Sequence, residues 1–98
     1  MTINESRNGD ILTIVPEGRL DTLSSPELYE FLKKNYPSIT GLVVDCSKLD
    51  YVSSAGLRVF LSALNALKDK EGVRIVNANP LIREVFKVTG LSDMFKFE

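Results

Sequence analysis

The stretch GLVVDCSKLDYVSSAGLRVFLSALNAL, residues 41–67, contains the two hydrophobic patterns that decide the fold. Its first six residues, Gly41 to Cys46, show no alternation, as expected of a central strand that helices cover on both faces. From about Ser54 the apolar residues recur with the period of a helix, which Gly72 ends. The apolar face of this predicted helix contains Leu57, Phe60, Leu61, Leu64 and Leu67. The stretch therefore predicts a central strand and a helix that packs against it.

The upstream segment predicts a hairpin followed by a helix. INESR and DILTIVPEG flank the pair Asn8 and Gly9, which favours the positive φ angles of a type I′ turn, and Pro16 closes the second strand. In SSPELYEFLKKNYP, Ser24 or Ser25 provides the cap of a helix that has a proline in its first turn.

The downstream segment continues the alternation of strand and helix. VRIVNA predicts a strand, NPLIREVFKVTG a helix from its cap Asn79 to its stop Gly90, and MFKF a short terminal strand. This order predicts the α/β class, with a mixed sheet of four to five strands and about three helices packed mainly on one face. We expect one domain over residues 1–98, since a chain of this length has no room for a second.

Charge and composition exclude several kinds of partner and compartment. The chain has 12 basic and 13 acidic residues, so it has no electrostatic bias toward nucleic acid or an anionic membrane. The opening MTINESRNGD lacks the apolar region of a signal peptide, and no apolar run approaches the roughly 20 residues of a membrane span. The single cysteine, Cys46, cannot form an internal disulfide. We therefore expect a cytoplasmic protein.

The residue types that most enzymes depend on are missing. The chain has no histidine, which removes Ser-His-Asp and Cys-His nucleophilic sites and the usual zinc ligand sets. It has no Walker A loop, no GxGxxG motif and no cysteine pair, so the sequence predicts no cofactor and no metal. A hydrolase that pairs serine with a lysine base is disfavoured, because no lysine is spaced from a serine in a way that indicates such a pair. We expect a protein that is not an enzyme.

Two adjacent hydroxyls, on Ser53 and Ser54, precede the predicted central helix. The loop that carries them follows a strand, and open α/β sheets bind their ligands at the carboxyl ends of their strands. One interpretation is that a serine caps the helix by accepting a hydrogen bond from a free backbone N–H. The other is that a hydroxyl there is accessible to the active site of another protein, at a helix end that tolerates a phosphate. The spacing alone leaves both open.

Three segments together resemble the STAS domain of bacterial anti-sigma factor antagonists. They are EGRLDTLSSPEL, VVDCSKLDYVSSAGLRVFL and NPLIREVFKVTGLSDMF, and they occur in the order and spacing of that family over nearly all of the chain. The resemblance implies the STAS fold and a serine, just ahead of a small-Gly-Leu step, that a partner kinase phosphorylates. Carried over, the phosphoacceptor is Ser54. The alternative is Ser53, which stands where the common family pattern has an aspartate.

The resemblance also implies a partner-binding surface around the acceptor. The aspartate that the family places after a Gly-x-Leu step matches Asp21, for which a turn-forming role is the alternative. Arg58, one turn beyond Ser54, is a candidate to face a partner or a phosphate, with a solvated helix face as the alternative. The full set of expected partner-binding residues is Asp21, Thr22, Ser53, Ala55, Gly56, Leu57 and Arg58.

By this resemblance the chain is a phosphorylation-controlled binding module in a partner-switching pathway. Its implied partners are an anti-sigma factor that is a serine kinase and a phosphatase of the PP2C type, and we expect it to act as a monomer. Two alternatives keep the fold. One is a non-switching STAS module that docks in a transport or sensor complex, and the other is a STAS domain that binds a small ligand or nucleotide.

Overall fold

Six strands and three α-helices succeed one another along the chain, and the computed structural model describes all residues from Met1 to Glu98. A 3₁₀ turn at Tyr36–Ser38 follows the first helix. The elements in chain order are β1 (Thr2–Asn8), β2 (Ile11–Leu20), α1 (Ser25–Asn35), β3 (Gly41–Asp45), β4 (Leu49–Val52), α2 (Ser54–Ala66), β5 (Gly72–Val76), α3 (Pro80–Val88) and β6 (Lys96–Phe97).

The strands form one mixed sheet in the order β1-β2-β3-β5-β6. β1 is antiparallel to β2, and the other pairs are parallel. β4 lies off this path and runs parallel to the last part of β2, from Gly18 to Leu20. The predicted α/β class and mixed sheet are confirmed, with β4 as a sixth strand that the sequence did not predict. In β4 only the two end residues, Leu49 and Val52, are buried, so it lacks the alternation that marks a strand.

β2 is longer than predicted, because it continues past Pro16 to Leu20. Pro16 lies beyond Ile14, the last residue of β2 that pairs with β3, so at this point β2 pairs only with β1. A proline without a backbone N–H is tolerated where a strand has a free side. Pro16 therefore does not close the strand, contrary to the sequence-based expectation.

The hairpin of β1 and β2 is present, but its turn differs from the predicted one. Asn8 pairs with Ile11, which leaves Gly9 and Asp10 as the two turn residues. Only Gly9 has a positive φ, of 64°. The expected type I′ turn on Asn8 and Gly9 is therefore wrong by one residue.

All three helices bury side chains against one face of the sheet. On that face lie Leu12 and Ile14 of β2 and Leu42 and Val44 of β3. The helices contribute to the same core cluster Leu28, Leu32, Leu57, Val59, Phe60, Ala63, Ile82 and Phe86. The prediction of helices mainly on one face is confirmed.

The opposite face of β3 has no helix over it, although the apolar run had suggested helices on both. Val43, which points to this face, lies outside the core cluster. It is only 8% exposed because its register partners on the neighbouring strands, Thr13 and Arg74, lie on either side of it. Close neighbours in the sheet, and not a second helical layer, explain the lack of alternation.

The helix ends agree with the sequence in one case and differ in another. α3 begins as predicted, since Asn79 Oδ1 accepts a hydrogen bond from the Ile82 N–H at 2.9 Å. α2 ends at Ala66, and Gly72 instead begins β5 with a φ of 81°. The helix therefore ends about a turn and a half before the glycine that was expected to end it.

Candidate functional site

Three connections meet at the edge of the sheet where the parallel strands end. They follow β2, β4 and β5 and contain residues 21–24, Ser53 and residues 77–79. The Ser53 N–H donates to the Leu20 carbonyl at 2.8 Å, which fixes the start of α2 to the end of β2. Asn77 Nδ2 donates to Asp45 Oδ1 at 3.2 Å and joins β5 to β3 at the same edge. We call this region the carboxyl edge.

Ser53 and Ser54 have different roles at the start of α2. Ser53 is extended, with φ −89° and ψ 174°, and its Oγ accepts a hydrogen bond from the Gly56 N–H at 3.2 Å. Ser54 is the first helical residue, its side chain is exposed, and its hydroxyl makes no hydrogen bond within the protein. The capping interpretation therefore applies to Ser53, and the free hydroxyl is that of Ser54.

Gly56 allows α2 to approach the end of β2 closely. A Cβ at this position would lie 2.8 Å from two side-chain carbons of Leu20 and 3.1 Å from its carbonyl oxygen. Any larger residue would push the helix away from β2, so glycine keeps Ser53 within hydrogen-bond distance of Leu20. The following side chain, Leu57, is 4% exposed and belongs to the core. These two expected partner-binding residues shape the edge without offering a side chain to a partner.

Asp21 organises the connection between β2 and α1. Its Oδ1 accepts hydrogen bonds from the Leu23 and Ser24 N–H groups, each at 3.0 Å. The bond from the Ser24 N–H, helped by those from Leu23 and the Ser24 hydroxyl and by the charge of Arg19, lowers the pKa of the Asp21 carboxyl despite some desolvation. The turn-forming role is thus present in the structure. Its carboxylate is one-third exposed, so it remains accessible from outside.

The start of α1 differs from the predicted cap. Ser24 occupies the cap position, but its Oγ makes no hydrogen bond to a helical N–H and instead donates to the Arg19 carbonyl at 2.7 Å. The Ser25 hydroxyl donates to the Asp21 carbonyl. Neither serine therefore caps the helix with its side chain, because both are used to close the turn around Asp21.

Arg19 and Tyr51 also lie at this edge, although the sequence did not indicate either of them. The Arg19 guanidinium lies 4.3 Å from the centre of the Tyr51 ring, and its Nε is 4.0 Å from Asp21 Oδ2. Arg19 and Tyr51 are register partners on β2 and β4. Since β4 itself was not predicted, no signal in the sequence could have placed these two residues together.

A shallow groove between α1 and α2 opens beside Ser54. Three of the expected partner-binding residues, Thr22, Ala55 and Arg58, line it together with Ser25, Pro26, Tyr29 and Val59. Leu23, in the connection that precedes α1, is 90% exposed. Arg58 has neither an ion pair within 4.0 Å nor a hydrogen bond through its side chain. The groove thus combines apolar surface with one unpaired cation.

The carboxyl edge has no residues placed for metal chemistry. No group of three or more histidine, cysteine, aspartate or glutamate residues is placed to hold a metal ion. None of the helices is long and apolar enough to cross a membrane. The carboxyl edge presents an exposed serine at a capped helix start, a hydrogen-bonded acidic turn and an apolar groove.

Comparison with known families identifies the class of protein. A family model described as "Mlab, STAS domain" matches residues 2–96. The chain belongs to the STAS domain family, as the sequence predicted. Among curated relatives, the anti-sigma-B factor antagonist of Staphylococcus aureus is 35% identical over 80 residues, which cover 79% of this chain and 73% of the relative. That of Listeria monocytogenes is 27% identical over 97 residues, with 96% and 84% covered.

Solved structures have the same architecture. The anti-sigma factor antagonist SpoIIAA in its unphosphorylated form superposes with a TM-score of 0.85 at 18% identity, covering 99% of this chain and 88% of that one. SpoIIAA of Bacillus in its phosphorylated form gives a TM-score of 0.78, also at 18% identity, covering 99% and 91%. At this identity the likeness establishes the fold. The assignment of the chain to the STAS family rests on the family model, and its relation to anti-sigma factor antagonists rests on the curated relatives.

Proposed function

We propose that this chain is an anti-sigma factor antagonist whose binding to its partner is controlled by phosphorylation of Ser54. The observation that carries the proposal is the contrast at the start of α2, where Ser53 holds the cap and leaves the Ser54 hydroxyl exposed and unbonded. A kinase can therefore reach Ser54 without breaking any hydrogen bond of the fold. The relatives named as anti-sigma factor antagonists support the assignment of the partner class.

In this proposal the unmodified chain binds an anti-sigma factor that is also a serine kinase. Binding occupies that protein and releases the sigma factor it holds. The kinase transfers phosphate to Ser54, the complex separates, and a phosphatase of the PP2C type restores the binding form. The chain acts as a monomer in the cytoplasm, and its own residues do no chemistry beyond presenting the hydroxyl. The solved phosphorylated and unphosphorylated forms of SpoIIAA support the idea of a two-state module.

The switch follows from the cost of burying a dianion. Phosphorylation adds about −1.5 to −2 charges at neutral pH. A partner that closes over Ser54 and the groove lined by Thr22 and Ala55 must bury that charge, which costs several kcal/mol when no cation of the partner matches it. Because each 1.4 kcal/mol changes affinity about tenfold, we expect binding to weaken by about a hundredfold or more.

Ser53 is the weaker candidate for the acceptor. Its Oγ accepts the hydrogen bond from the Gly56 N–H, and its backbone N–H is held by the Leu20 carbonyl. Its hydroxyl oxygen is therefore already engaged in the fold, whereas that of Ser54 is free. Phosphate on Ser53 would also replace the hydroxyl that accepts the Gly56 N–H, and so alter the cap of α2.

The test compares the two forms of one protein. The chain is incubated with the purified anti-sigma factor kinase and ATP, the phosphosite is mapped by mass spectrometry, and both forms are titrated against the same kinase. We expect phosphate on Ser54 and an affinity loss of about a hundredfold. Ser54→Ala should stay in the binding form, and Ser54→Asp should reproduce part of the loss because it has one charge and a different shape.

The matched control is Ser62→Ala, which removes another hydroxyl from the same helix. The kinase should phosphorylate this variant and release it just as it does the parent chain. Equal affinities of the phosphorylated and unphosphorylated chains would overturn the switch and leave a constitutive docking module. Phosphate found on Ser53 alone would overturn the assignment of the acceptor.

A further inference from the structure

We propose that Arg58 is the intramolecular partner of a phosphate on Ser54. The inference rests on the proposed phosphorylation of Ser54 and adds a charge pair within α2 that forms only in the modified state. In the unmodified chain this cation is free for a partner, and in the modified chain the phosphate occupies it. Arg58 thus gives the two states of the site different charge patterns as well as different shapes.

The spacing of the two residues on α2 places them side by side. Residues four apart on a helix are neighbours on its surface, and Ser54 and Arg58 are both exposed. Gly56, which lies between them in the chain, is buried on the opposite side of the helix. A phosphate on the Ser54 hydroxyl extends farther from the helix than the hydroxyl itself, within the range of a long arginine side chain. The planar guanidinium fits two phosphate oxygens at once.

Arg58 has no competing partner in the fold. Its side chain makes no hydrogen bond, and no carboxylate lies within 4.0 Å of it. Across the groove, α1 presents two carboxylates, and Glu27 Oε1 is held 3.3 Å from the amino group of Met1. The other, Glu30, is exposed and makes no ion pair. The phosphate would therefore not have to displace an existing ion pair.

Two other charged side chains at the carboxyl edge, Asp21 and Arg19, are already engaged. The Asp21 carboxylate accepts two backbone hydrogen bonds within its own turn. Arg19 lies over the Tyr51 ring and beside Asp21, so its guanidinium is held by contacts within β2 and β4. Of the two arginines at this edge, Arg58 is the one that is unpaired and on the helix of the acceptor.

The test reads the ionisation of the phosphate directly. Phosphoserine is incorporated at position 54 during translation, so no kinase is needed, and the second pKa of the phosphate is measured by ³¹P NMR titration. The pKa of a free phosphoserine is about 6. We expect a lower value here, and we expect Arg58→Gln to raise it by about 0.5 pH unit, which corresponds to the loss of one surface ion pair with a dianion.

Two further variants make the result specific. Arg58→Lys should restore part of the lowering, because it keeps the charge and loses the planar geometry. Lys70→Gln removes an exposed cation beyond the far end of α2 and should leave the phosphate pKa unchanged. Unphosphorylated Arg58→Gln should unfold at the denaturant concentration of the parent, since the side chain is exposed and unpaired. This control separates a charge effect from damage to the fold.

The same phosphate pKa in the parent and in Arg58→Gln would overturn the inference. This result is distinguishable from failure of the proposed function, because the phosphate is installed without a kinase and measured without a partner. A chain that its kinase does not modify, or that binds equally in both forms, would contradict the switch and leave the titration valid. A lowered pKa that depends on Arg58 supports the charge pair whichever way the binding experiment turns out.

Discussion

Ser53 and Ser54 are adjacent and chemically identical, yet their hydroxyls have different surroundings. We expect Ser53→Ala to lower the free energy of unfolding by about 1 kcal/mol, because it removes the acceptor for the Gly56 N–H. Ser54→Ala should change it by only a few tenths of a kcal/mol, because no hydrogen bond is lost and alanine suits the first turn of a helix. Denaturant unfolding of the two variants side by side is the measurement. A larger loss for Ser54→Ala would show that the second serine is the structural one.

Asp21 gives the carboxyl edge a defined dependence on pH. The pKa of its carboxyl is lowered from the ordinary value of 3.8, so the folded state favours the charged form. Its contribution to stability is therefore fully present above pH 3.8 and is lost as the pH falls through the still lower pKa of the folded state. The Leu23 and Ser24 amide resonances, which belong to its hydrogen-bond donors, should titrate with a midpoint below 3.8. Asp21→Asn should abolish that titration, and a midpoint at or above the ordinary value would contradict the assigned hydrogen bonds.

At the scale of elements, α2 is rotated relative to the face that the sequence predicted. Leu57, Phe60 and Leu67 are buried as expected, and Val59 and Ala63 join them. Leu64 and Leu61 are only partly buried and line a second groove with Met94. The apolar face of α2 is therefore wider than the predicted one. Its side with Leu61 and Leu64, next to Met94, is open to solvent.

This rotation predicts unequal costs for two identical substitutions in and beside α2. Leu67→Ala should destabilise the protein by about 2 to 5 kcal/mol, because Leu67 is fully buried and leaves a cavity. Leu64→Ala should cost less than about half of that, since its site is already open to solvent. Equilibrium unfolding in urea measures both, and equal losses would mean that Leu64 is packed in the core as the sequence alone had indicated.

Elements with strong local signals were predictable from the sequence, and those that depend on pairing were not. β3, β5, α2 and α3 follow from runs of apolar residues, a capping asparagine and helical spacing. β4 has four residues and no alternation, and its place depends on a register shift in β2 between Gly18 and Arg19. Pro16 could not predict the end of β2. The pairing of β2 with β3 stops at Ile14, and a proline is tolerated in a strand where one side is unpaired.

The candidate site was likewise predictable from the sequence only in part. The segment around Ser54 and the turn at Asp21 could be located from sequence, because both lie in motifs of the family. Which of the two serines has a free hydroxyl could not be predicted, since either can cap a helix and only the backbone geometry at Ser53 decides. The unpaired state of Arg58 could not be predicted either, because whether a carboxylate comes within 4.0 Å of it is a property of tertiary packing.

At the scale of the whole molecule, one core joins the sheet, the helices and the last residues of the chain. Phe86 of α3 packs against Phe60 of α2 at 6.1 Å between ring centres, and against Phe95 and Phe97 at 5.4 and 5.1 Å. The carboxyl edge lies outside this cluster and is held by hydrogen bonds to strand ends. The proposed modification of Ser54 would therefore change the surface of the protein while the core stays unchanged.

Cys46, just after β3, lies at the boundary between that core and the carboxyl edge. It is the only thiol, it is 1% exposed, and burial, together with the charge of Asp45, raises its pKa to about 12. The reactive form of cysteine is the thiolate, so a thiol reagent can label this residue only in molecules that have opened. Cys46 therefore reports opening of the structure around it, and the rate of its labelling with and without a bound partner compares the two states without an introduced cysteine.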